Sequence, residues 1–212
     1  MEKKHHVHNL IILDESGSME SIKETIIQGF NEIVQTVKGI QKQYPEQEHF
    51  ISLVSFNGLG MKTLHFMDPV DSLETINSKT YHPDASTPLY DAMGFTFAKG
   101  RKILEGQTDY NVLVTILTDG EENASKEYSG AAIKKIIEDL KNNNWTFTYI
   151  GTDHDVEAFA ASISITNTIN FKRSKKDIDT MFLKEKDARF NYSRKIKDKE
   201  DTKDDFYKND PS

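Results

Sequence analysis

Asp14, Ser16 and Ser18 occupy alternate positions in Asp14-Glu15-Ser16-Gly17-Ser18, a carboxylate followed by two hydroxyls. Alternate residues of an extended segment point the same way, so the three side chains can converge on one point. Oxygen donors of mixed charge gathered in this way suit a hard divalent cation such as magnesium. Two more donors lie downstream. Thr87 stands in Ala85-Ser86-Thr87-Pro88-Leu89-Tyr90-Asp91-Ala92, and Asp119 follows the apolar run Val112 to Leu117 as part of Thr118-Asp119-Gly120.

The elements that must position these groups are readable from hydropathy. Val7 to Leu13 is aliphatic without strict alternation, the pattern of a central strand buried on both faces. Ile22, Ile26, Ile27, Phe30, Ile33, Val34, Val37 and Ile40 follow at helical spacing, with Ser21 and Glu24 offering a capping box. The first donor cluster therefore sits where a buried strand turns into a helix, the place where open α/β sheets hold ligands. Phe50 to Phe56 reads as a strand, Asn57-Gly58-Leu59-Gly60 as a turn, and Met61 to Phe66 as an antiparallel return strand. Thr87-Pro88 reads as a helix start, with the hydroxyl as N-cap and Leu89, Met93 and Phe97 on the inner face. Further strands are expected at Val112 to Leu117, Trp145 to Ile150 and Ile165 to Phe171. Helices are expected around Ala132 to Leu140, at Val156 to Ala161, and after a Ser174–Asp177 cap. Strands alternating with helices, plus one hairpin, predict a doubly wound, mostly parallel α/β sheet with one antiparallel edge strand.

The D-x-S-x-S, the distant S-T-P-L and the strand ending in T-D-G, in that order, resemble the von Willebrand factor type A (vWA) domain over about residues 5 to 170. The resemblance implies a Rossmann-like fold and a metal-ion-dependent adhesion site built from Asp14, Ser16, Ser18, Thr87 and Asp119. It also implies a magnesium ion there, with manganese or calcium as alternatives, and a protein partner that supplies an Asp or Glu side chain to it. Hydroxyl ligands bring no formal charge, so such an ion stays electrophilic toward an acidic partner. On this reading the chain is a binding module and not an enzyme. Two other readings stand beside it: a magnesium-dependent phosphatase of the haloacid dehalogenase type, and a metal-independent scaffold subunit of a multi-protein complex. The phosphatase expects a second aspartate two residues after the first, where this chain has Ser16, so its proton donor is missing.

The 212 residues suit one domain, read as 5–183, and a charged tail, 184–212, whose low apolar content predicts mobility. A formal charge of −7 without a basic stripe argues against nucleic acid as partner. There is no cysteine, which excludes disulfides and zinc thiolates and fits the cytoplasm. No stretch approaches the length of a membrane span. Neither G-x-G-x-x-G nor a Walker-type phosphate loop occurs. Glu121 and Glu122 read as solvated loop acids, and Asp153-His154-Asp155 as a helix cap. His5, His6 and His8 read as the polar entry to a strand.

Overall fold

The computed structural model describes residues 4–208. Six strands form one sheet: β1 (His5–Asp14), β2 (Gln47–Asn57), β3 (Gly60–Pro69), β4 (Tyr110–Leu117), β5 (Trp145–Gly151) and β6 (Asn167–Asn170). Their order is β3-β2-β1-β4-β5-β6. Only the β2–β3 pair is antiparallel. The helices are α1 (Lys23–Gln43), α2 (Leu89–Ile103), α3 (Gly130–Lys141), α4 (Val156–Ser162) and α5 (Lys175–Asp198). The doubly wound sheet with its antiparallel edge is as expected.

Alternation along β1 explains the two-layer core. Leu10 and Ile12 face Met93, Phe97, Ile133 and Phe147 on one side. Ile11 and Leu13 face Ile26, Phe30, Val34 and Phe182 on the other. Both faces are covered, so a near-continuous aliphatic run is what this strand needs. β1 pairs with β2 on one side and β4 on the other, with Leu13 opposite Leu117. The chain order reverses at this pair, so the carboxyl ends of β1 and β4 flank the switch-point crevice.

Four expectations are corrected. The residues from Lys184 do not form a separate loose tail over the described range. Helix α5 runs unbroken to Asp198, and Glu185, Ala188, Arg189, Tyr192, Ser193 and Phe206 are buried. The segment is held because its inward charges pair with one another: Arg189 lies 2.7 Å from Glu185, and Tyr207 donates to Glu185 over 2.7 Å. Val7, Leu113, Ala188, Tyr192 and Phe206 form a third apolar cluster beneath them. The last residues of the predicted tail, 209–212, lie outside the described range.

The Ser21–Glu24 capping box is not used. Residues Gly17–Ile22 wind as a 3-10 turn ahead of α1, and the Ser21 hydroxyl donates to the Ser18 carbonyl at 3.4 Å. Thr87 does not cap α2 either; Pro88 holds that position. The Glu122 carboxylate accepts from the Tyr90 N–H at 2.8 Å, and the Ser125 hydroxyl accepts from the Asp91 N–H at 3.0 Å. Glu122 is thus a helix cap rather than a solvated loop acid.

Candidate functional site at the switch point

Strand β1 delivers Asp14 to the crevice fully buried, with both carboxylate oxygens engaged. Oδ1 accepts from the Ser16 N–H at 2.7 Å and Oδ2 from the Thr118 hydroxyl at 2.6 Å. The backbone is held as well, since Tyr81 OH donates to the Asp14 carbonyl at 2.6 Å. From this floor the donors step toward solvent. The hydroxyls of Ser16 and Ser18 are 3.2 Å apart, and Ser18 donates to Asp119 Oδ1 at 2.5 Å. Asp119 is buried while Ser18 is exposed, so the cluster opens at its serine end.

Burial sets the electrostatics. It raises the Asp14 carboxyl from 3.8 to about 6, against the opposing hydrogen bonds from Thr118 and Ser16. Burial also raises Asp119, against the Ser18 hydrogen bond and the Arg173 charge. Two carboxylates are therefore held where their ionised forms lack water, an arrangement that a cation would relieve.

The loop bearing Thr87 is fastened to this cluster through Glu15, the buried residue between Asp14 and Ser16. Glu15 Oε2 accepts from Ser55 at 2.7 Å, while Oε1 takes Lys62 Nζ at 2.7 Å and the His82 N–H. The Glu15 carbonyl accepts from Asp84 N–H at 2.9 Å, and Gly17 N–H donates to the Ala85 carbonyl at 3.0 Å. Ala85 sits in the left-handed region at φ 60°, a strained conformation for a residue with a Cβ. Gly58, at the tip of the β2–β3 hairpin, packs so closely that a Cβ there would collide with Ser86.

Thr87 itself is buried and clamped through its backbone by Asn123. Its N–H donates to Asn123 Oδ1 at 3.0 Å, and its carbonyl accepts from the Asn123 N–H at 3.2 Å. The loop after Asp119 is held by Asp91, whose carboxylate accepts from the N–H groups of Lys126, Glu127 and Tyr128. Hydrogen bonds thus join Asp14, Ser16, Ser18 and Asp119, directly or through Thr118, while Thr87 is tied by its backbone to Asn123 in the loop that follows Asp119.

At the rim stands Arg173, in the β6–α5 connection. Its Nε donates to Asp153 Oδ2 at 2.6 Å, and NH1 donates to the Ser18 carbonyl at 3.0 Å and to the Ser21 hydroxyl at 3.2 Å. NH2 lies 3.1 Å from Asp119 Oδ2. That contact is an ion pair without hydrogen-bond alignment, and Asp119 Oδ2 has no hydrogen-bond partner.

The donor set suits magnesium better than a transition metal. Among the described residues no group of three or more His, Cys, Asp or Glu side chains is arranged to hold an ion. A cation here would rest on two carboxylates and hydroxyls, the hard oxygen set that magnesium takes. Asp119 Oδ2, which accepts no hydrogen bond, and the burial-raised carboxyls fit such an ion. The N-terminal histidines are engaged elsewhere. His5 bonds Asp109 at 2.7 Å and Asn111 at 2.9 Å, and His8 stacks on Phe50 with its pKa lowered by burial to about 4. Asp155 caps α4 by accepting from the Ala158 N–H at 3.0 Å.

No family model and no curated protein matches the chain. Solved structures do. A von Willebrand factor type A protein from Catenulispora acidiphila is 17% identical, with a TM-score of 0.55 over 86% of this chain and 42% of that one. The SpRpn10 VWA domain is 11% identical, with a TM-score of 0.53 over 84% of this chain and 94% of that one. The chain has the fold of a vWA domain. The SpaC pilus adhesin from Lactobacillus rhamnosus GG contains a similar unit, 12% identical, with a TM-score of 0.61 over 90% of this chain and 30% of that one. The chain spans less than half the length of the Catenulispora and Lactobacillus proteins. In this vWA fold the donor cluster lies at the carboxyl edge of the central strands.

Glu15, Thr118, Asn123 and Arg173 carry the site's geometry but were not singled out as site residues from the sequence. Thr118 had a signal, as the residue between a strand end and Asp119. The others are joined to the site by contacts distant in sequence.

Proposed function

We propose that the chain is a protein-binding module whose adhesion depends on a divalent ion, magnesium, held by Asp14, Ser16, Ser18, Thr87 and Asp119. When bound, the ion supplies an electrophilic position that accepts a carboxylate oxygen from an Asp or Glu of the partner. The observation that carries this reading is the pair of buried carboxylates at adjacent strand ends, joined by serine hydroxyls to a solvent-facing lip. Asp14 and Thr118 form the floor, Ser16 and Ser18 aim the hydroxyls, and Glu15 and Asn123 hold the Thr87 loop in register.

Binding is favoured over phosphatase chemistry. Asp14 is 0% exposed and both its oxygens already accept hydrogen bonds, so it is poorly placed to attack a phosphorus atom. Ser16 also stands where the acid would be needed. The proposal includes a cytoplasmic setting, consistent with the absence of cysteine. Among the described residues no helix is long and apolar enough to cross a membrane.

The test is affinity capture from the native cell, run in magnesium and in chelator, with Asp14→Ala as a second bait. A partner retained only by wild type and only in magnesium supports the reading. Capture that is indifferent to both changes would favour the scaffold role, and release of phosphate from an aryl phosphate would favour the phosphatase.

A further inference from the structure

Arg173 is the one cationic side chain in contact with the donor cluster among the described residues. Its guanidinium is fixed from three sides by Asp153, the Ser18 carbonyl and the Ser21 hydroxyl, and this leaves NH2 against Asp119 Oδ2 at 3.1 Å. That oxygen is buried and accepts no hydrogen bond, so the ion pair is its one recorded polar contact among the described residues. The Asp119 side chain is 0% exposed, whereas Arg173 is 33% exposed. Asp119 thus sits deep in the site just beyond the end of β4, while Arg173 reaches it from the solvent-exposed rim.

We propose that Arg173 is an internal counter-ion that competes with the divalent ion for Asp119 and thereby sets the metal affinity of the site. This rests on the metal-binding reading above and adds a regulator to it. In the ion-free state the guanidinium offsets the charge of Asp119. A cation that uses Asp119 must displace that contact or bind beside a fixed positive charge, and either route weakens it. The planar fork suits this role, since an arginine can hold Asp153, Ser18 and Asp119 at once where a lysine ammonium cannot.

Calorimetric titration of the full chain with manganese and with magnesium, comparing wild type, Arg173→Gln and Arg173→Lys, tests the idea. A neighbouring charge at this range commonly shifts an ionic equilibrium by a factor of ten or more. Arg173→Gln is therefore expected to bind the ion about tenfold more tightly. Arg173→Lys should fall between it and wild type. A second readout is independent of calorimetry. Without metal, Arg173→Gln should melt below wild type, because Asp119 has lost its counter-ion, and saturating manganese should raise its melting temperature by more than it raises that of wild type. Equal or weaker affinity in Arg173→Gln, with wild type still binding, would overturn the competition and leave the metal site standing. No heat and no melting shift in any of the three proteins would overturn both.

Discussion

Replacing Arg189 asks whether the C-terminal half of α5 belongs to the folded body. The side chain is 1% exposed, and its partner Glu185 is 0% exposed. NH2 lies 2.7 Å from Glu185 Oε1 and 2.7 Å from Thr115 Oγ1, and NH1 lies 2.7 Å from Asn9 Oδ1. Asn9 is on β1 and Thr115 on β4, so one guanidinium ties the helix to both central strands. Arg189→Met keeps much of the length but strands Glu185 as a buried charge with only the Tyr207 and Thr115 hydroxyls. Breaking one side of a buried pair costs about 3–5 kcal/mol. Arg189 Nε is itself buried without a partner, which reduces what the wild-type pair contributes, so the expected loss is about 3 kcal/mol. The double variant Glu185→Leu/Arg189→Met removes both charges. It leaves Asn9, Thr115 and Tyr207 short of partners, at about 1 kcal/mol each, and should be no less stable than the single variant. Urea unfolding of the full chain, followed by circular dichroism, reads both free energies and the slope m. An Arg189→Met variant within about 0.5 kcal/mol of wild type, at unchanged m, would show that α5 beyond Glu185 does not rest on the sheet.

Three further outcomes are expected. In chelator, the Asp14 carboxyl at about 6 makes the folded state bind its proton more tightly than the unfolded state at 3.8, so this group's contribution is present below pH 4 and is lost as pH rises through 6. Asp14→Asn should remove that loss, worth about 3 kcal/mol by pH 8, in urea unfolding across pH 4–8; its amide can donate to Thr118, whose proton can turn to the Gly120 carbonyl at 3.1 Å. Glu15→Ala leaves Ser55, Lys62 and the His82 N–H without their acceptor and should cost about 3 kcal/mol in a thermal melt, with weaker manganese binding as the Thr87 loop loosens. Thr87→Ala should change stability by less than about 1 kcal/mol, because Asn123 grips the backbone rather than the side chain, yet lower manganese affinity in calorimetry, with Thr87→Ser restoring it.

The sheet and most helices were legible because their side chains must alternate or recur to fill a two-sided core. Leu10 to Leu13 and Val112 to Leu117 declare buried strands by having no polar face. The site was legible only in part. Asp14, Ser16 and Ser18 show themselves because an acid and hydroxyls at alternate positions follow a buried strand directly. Glu15 does not, since a glutamate in a turn looks solvated until Lys62, Ser55 and His82 are seen around it. Local cap patterns misled at Ser21 and Thr87, because the 3-10 turn and the Glu122 cap, fixed by tertiary contacts, satisfy those helix starts instead. The same limit hid the C-terminal packing. Apolar content measures only one way of filling a core, and Glu185 with Arg189 fills it with a buried, hydrogen-bonded ion pair.

Charge at the site connects metal and partner in a way that separates their responses. With both carboxylates ionised, Asp14, Asp119 and Arg173 sum to −1; Asp153, on the outer side of Arg173, is exposed and screened by water. In that state an acidic side chain is repelled. A divalent ion turns the sum to +1, so an acidic partner is attracted only after the ion is present, and its binding should be steeply sensitive to chelator. Neutralising Arg173 moves the two sums to −2 and 0. The same substitution that tightens the ion should therefore weaken an acidic partner at saturating magnesium. Opposite signs for metal and partner affinity in Arg173→Gln are the expected signature, measured by calorimetry for the ion and by the captured partner's dissociation constant. If both affinities rise together, the partner does not sense the charge at the site, and its contacts lie elsewhere on the carboxyl edge of the sheet.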